Sequence, residues 1–118
     1  MNKKWSIKNS PFDILAEAFK KLYPNIEYEA FFETQIREGE DGSKAYGMTD
    51  FGDDGSIVIF VDADLSILNA TEIFAHELAH AAVGLEHGHD EKWEKVFDSI
   101  FKEYKLIGDE LFETQVST

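Results

Sequence analysis

The stretch SIVIFVDADLSILNATEIFAHELAHAAVG, residues 56–84, sets a strand immediately ahead of a helix. Ser56 to Val61 is a short β-branched run bounded by turn residues, the pattern of a central strand. Asn69-Ala70-Thr71-Glu72 fits a capping box, and the spacing predicts a helix from there to about Gly84.

Upstream, Ser10-Pro11-Phe12-Asp13 combines a Ser cap, a Pro at the first helical position and an acid three residues past the cap. Phe12, Leu15, Phe19 and Leu22 follow at helical spacing, and Tyr23-Pro24 closes the run. From Ile26 to Arg37 the period is two, with Ile26, Tyr28, Ala30, Phe32, Thr34 and Ile36 on one face. Glu27, Glu29, Glu33 and Arg37 fall on the other, which predicts a half-buried strand with a solvated acidic face. A turn over Glu38–Ser43, a weaker strand over Lys44–Phe51 and a turn at Gly52–Gly55 precede the central strand. Three strands joined by two tight turns predict an antiparallel meander. Downstream, a last helix is expected from near Asp90, with Trp93, Val96, Phe97, Ile100, Phe101 and Tyr104 as its apolar stripe. The expected architecture is one α+β domain over residues 1–118: an N-terminal helix, a three-stranded mainly antiparallel sheet, and two further helices. Residues 1–9 and 108–118 are expected to be loosely ordered.

Composition excludes several functions. The chain has 118 residues with 11 basic and 24 acidic side chains, a net charge of −13. That balance argues against nucleic acid and anionic membranes as partners, since phosphate binding relies on Lys and Arg. No run approaches the ~20 apolar residues of a membrane span. No apolar segment follows Lys3, Lys4 and Lys8 as a signal peptide requires, so a cytoplasmic location is expected. Without cysteine there is no thiol nucleophile, disulfide framework or Cys-ligated zinc.

All four histidines lie between positions 76 and 89. His76-Glu77-Leu78-Ala79-His80 is an HExxH motif on the predicted helix, where residues four apart stack on one face and two imidazoles can grip one metal. Glu77 is angled off that axis and can reach a metal-bound water without becoming a ligand. With this composition, shuffling gives about 0.016 such matches by chance. A catalytic zinc takes three protein ligands. On a continued helix His87 would lie ~10 Å beyond His80, so the chain must turn back, and Gly84 and Gly88 allow it. After the turn either His87 or His89 could arrive.

The segment His76–Trp93, HELAHAAVGLEHGHDEKW, resembles the SprT-like zincin metalloproteases: an HExxH helix, a short turn, then a His with an aromatic four positions later. The resemblance extends to the strand at Ser56–Val61, and it implies a zincin-like fold and a zinc-dependent peptidase acting on a peptide or protein substrate. It further implies His76, His80 and His89 as zinc ligands and Glu77 as catalytic base. His87 is then an alternative ligand or an oxyanion helper; Tyr46 and Tyr104 are weaker candidates for that helper. A glutamate-ligated zincin would instead draw its third ligand from Glu86, Asp90 or Glu103. Asp90-Glu91 stands where members often have Gly-Pro, and the chain lacks the cysteine-rich ribbon many of them carry. Trp93 reads as a core anchor. Asp62 and Asp64 read as turn residues, or as partners orienting an imidazole. Two other functions fit the same motif: an ImmA-type peptidase specific for one repressor, and a structural or inactive zinc module closed by four histidines. Composition leaves the oligomeric state open.

Overall fold

The computed structural model describes residues 10–38, 43–84 and 88–116, with the backbone alone at 37, 38, 43 and 111–116. Among these residues the chain runs α1 (Pro11–Leu22), β1 (Glu29–Glu33), β2 (Arg37–Glu38), β3 (Ser43–Lys44), β4 (Gly47–Phe51), β5 (Ile57–Asp62), α2 (Ile67–Val83) and α3 (Glu91–Val116). The α+β class expected from the sequence is the class adopted.

Helix α1 forms as its first residues dictate. Ser10 Oγ accepts from Asp13 N at 3.2 Å, Pro11 occupies the first turn, and Leu15, Ala18 and Phe19 point inward. The central-strand reading also holds, since the main sheet has the order β1-β5-β4. Ile59 and Val61 of β5 enter the core with Phe74 and Leu78 of α2, Leu15 and Phe19 of α1 and Ile100 of α3. Each such apolar side chain contributes about 1.5–3 kcal/mol on burial. On the opposite face Phe60 meets Phe31, ring centroids 6.2 Å apart.

The meander is not what forms. β5 pairs with β4 antiparallel and with β1 parallel (Phe31 opposite Phe60), so the sheet is mixed and β1 and β4 are its two edges. The cause is a break in the first period-two run. Gln35 takes φ 55, a left-handed conformation uncommon outside glycine, and separates β1 from β2. Among the described residues β2 pairs with β3 alone, Arg37 opposite Lys44. The turn expected at Glu38–Ser43 lies between these two strands in the sequence, and its residues 39–42 lie outside the described ones. As an edge strand β1 is exposed along all five residues, so the half-buried reading fails for Ala30 and Phe32 although Ile36 is buried.

The cap of helix α2 lies three residues before the expected one. Ser66 Oγ accepts from Asn69 N at 3.2 Å, which makes Asn69 the acceptor's partner rather than the cap itself. Ile67 and Leu68 are exposed and belong to no apolar period, so sequence periodicity does not reveal the first turn. The end matches expectation: Gly84 closes α2 at φ 92, a conformation that favours glycine. α3 starts where Asp90 Oδ1 accepts from Trp93 N at 2.9 Å, and it passes Gly108 without a break to Val116. Its apolar stripe packs on the core as the spacing predicts. Lys21 Nζ reaches Glu103 Oε1 at 2.6 Å and ties α1 to α3.

Candidate metal centre

His76 and His80 stand one turn apart on α2, whose inner face (Phe74, Ala75, Leu78, Ala79) is fixed by the core. That burial sets the helix rotation and leaves both imidazoles on the partly exposed side. The chain turns at Gly84, and His89 comes back just ahead of α3. The three Nε2 atoms then lie 3.3 Å (His76–His80), 3.0 Å (His80–His89) and 2.9 Å (His76–His89) apart. Nitrogens bonded tetrahedrally to one zinc at ~2.0–2.1 Å stand roughly 3.3 Å from each other, so the trio has the dimensions of a metal half-shell.

The electrostatics agree. Burial, then the neighbouring His80 and His89, push the His76 pKa down to about 4. Burial, followed by His89, lowers that of His80. Both rings are therefore neutral near pH 7, the form that ligates metal. The three Nε2 atoms face a common centre, an arrangement a cation can occupy. Among the described residues these three make up the convergent donor set.

Glu77 is not part of that set; it contacts the sheet and is 7% exposed. Its Oε1 accepts from Thr49 Oγ1 at 2.7 Å, and Thr49 lies on the edge strand β4. Two residues earlier on the same strand face, Gly47 makes room for it: a Cβ there would lie 2.5 Å from Ile73 Cγ2 and 2.9 Å from Glu77 Oε2. Trp93 closes the other side. Its ring lies 4.8, 5.6 and 4.7 Å from those of His76, His80 and His89, and its Nε1 donates to the His76 carbonyl at 3.3 Å. Phe97 stacks behind it at 5.0 Å. Trp93 is thus a packing residue, as expected, whose partners include all three imidazoles.

His87 and Glu86 lie outside the described residues. Asp90 caps α3 and Glu103 pairs with Lys21, so neither joins the histidines. Asp62 is the buried last residue of β5 rather than a turn residue, and Asp64 lies in the turn after it: Asp62 Oδ1 accepts from Asp64 N at 3.1 Å, and its Oδ2 faces Lys44 at 3.7 Å. Tyr46 lies under Lys44, and Tyr104 packs on Phe101. A groove of about 780 Å³ beside Phe19, Lys20, Tyr28 and Ser56 contains none of the histidines.

Sequence reasoning missed Gly47 and Thr49. A glycine inside a strand does signal close backbone approach, so Gly47 had a visible cue. Thr49 had none, because its partner is 28 residues away.

No protein-family model, curated protein or solved structure matches this chain. No helix among the described residues is long and apolar enough to cross a membrane.

Proposed function

We propose that the chain is a zinc-dependent peptidase of zincin-like, SprT-like type, with His76, His80 and His89 as metal ligands and Glu77 as general base. The observation that carries this reading is the division of labour within HExxH. Two histidines converge with a third, while the glutamate between them stays out of the donor set and is held separately by Thr49. A purely structural site has no use for such a carboxylate and is closed by four protein ligands.

Bound zinc would supply Lewis-acid polarisation of the scissile carbonyl and a water acidified toward neutral pH. The chain's own residues do the rest. Glu77 takes the proton of the attacking water and returns it to the leaving amine. Trp93 holds the imidazole cluster from behind. β4 is an antiparallel edge strand carrying the base's partner, and an extended substrate can add to its open side through main-chain hydrogen bonds. A peptide or protein is therefore the substrate class. For a domain of 118 residues, an unfolded segment or one dedicated partner protein fits best.

The test uses a denatured peptide pool and the full chain loaded with one zinc. Glu77→Gln should retain the metal and lose cleavage by about 10²–10⁴-fold. Equal inertness of the two proteins across many substrates removes the peptidase reading. Cleavage seen only with one particular protein would point to the ImmA-type variant of the same chemistry.

A further inference from the structure

We propose that Thr49 is a positioning residue for Glu77, and that β4 thereby couples the edge that takes substrate to the group that moves the proton. The inference rests on the peptidase reading and deepens it. Glu77 has a buried carboxyl group, and a buried polar group requires hydrogen bonds in place of lost water. Thr49 provides one at 2.7 Å, at the usual length of a hydroxyl donating to an oxygen. The same Oγ1 lies 3.2 Å from the Glu77 carbonyl, so the strand is registered against both the side chain and the backbone of this residue.

Gly47 completes the cradle. Side chains alternate along a strand, so positions 47 and 49 share the face toward α2. At 47 the missing side chain admits Ile73 and Glu77; at 49 the hydroxyl fastens the carboxylate's Oε1. One end of the carboxyl is thus fixed to the strand, and its Oε2 is set by the same two-residue unit. A substrate strand added to the outer edge of β4 would lie against the strand that holds the base. Its docking would then fix the base relative to the bond being cut, which is the geometric condition for efficient proton transfer.

The hydroxyl can be removed alone. In the zinc-loaded full chain, Thr49→Val should lower kcat by about tenfold or more while KM changes less than about twofold. Zinc affinity should stay within about threefold, because no ligand is touched. Thr49→Ser keeps the donor and should restore kcat. If Thr49→Val retains wild-type kcat, or if Thr49→Ser loses as much as Thr49→Val, the positioning role is overturned. A second readout is independent of turnover: the ¹³C resonance of the Glu77 carboxyl, identified by its loss in Glu77→Gln, at one fixed pH. Thr49→Val should shift it and Thr49→Ser should not; an unmoved resonance in Thr49→Val overturns the clamp whatever the activity. A wild type that cleaves nothing sinks the peptidase reading and the catalytic half of this proposal with it, while the resonance still decides whether the strand holds the carboxylate.

Discussion

His76 is placed where burial and two like neighbours all oppose a positive charge, and its pKa falls from 6.5 to about 4. The linkage has a definite sign. The unfolded chain takes up a proton on this ring first, so the folded state has its full advantage above pH 6.5 and loses it as pH drops toward about 4. The melting temperature of the metal-free chain should therefore decline through that window. His76→Phe, which cannot titrate, should flatten part of the decline; an unchanged slope would contradict the burial argument. At this scale much of the site was legible. HExxH fixes two imidazoles by helical geometry alone, and Gly84 and Gly88 announce the turn that returns a third. Thr49 and the multiple contacts of Trp93 were not legible, because both depend on which strand and which helix face meet in space.

Helix boundaries follow local chemistry and were mostly readable, yet α2 shows how a good motif can mislead. Asn69-x-x-Glu72 has the form of a capping box, but Ser66 is the residue whose side chain accepts from the helix, and Asn69 supplies the N–H. Ser66→Ala should then cost about 1 kcal/mol of stability in denaturant melts. Asn69→Ala should cost far less, and the reverse order would restore the later start. Strand pairing was the larger miss. Period-two alternation marks a strand and one of its faces but never names its neighbour. A single left-handed residue, Gln35, redirects the chain after β1, so β5 inserts between strands that were expected to pair. Glutamine carries no turn signature, which left nothing in the sequence to expose the break.

The whole molecule has two histidines on α2 and a third just ahead of α3, so a bound ion would link both helices. Ligand that binds only the folded state stabilises it by about 4 kcal/mol at a thousand times its Kd. For a domain of this size that raises the melting temperature by roughly 10–20 °C. Zinc should produce such a rise and a chelator should reverse it. A melting temperature indifferent to both would remove the metal site from the argument. One last property belongs to the surface as a whole. The Glu-Ala-Phe-Phe-Glu strand at the parallel edge has Phe31 and Phe32 about half exposed, and it carries neither the lysine nor the proline that commonly keeps such edges from sticking. A charge of −13 opposes the approach of a second copy to this edge. That repulsion fades as the medium approaches the isoelectric point near 4.5, where the two half-exposed phenylalanines lose their electrostatic guard.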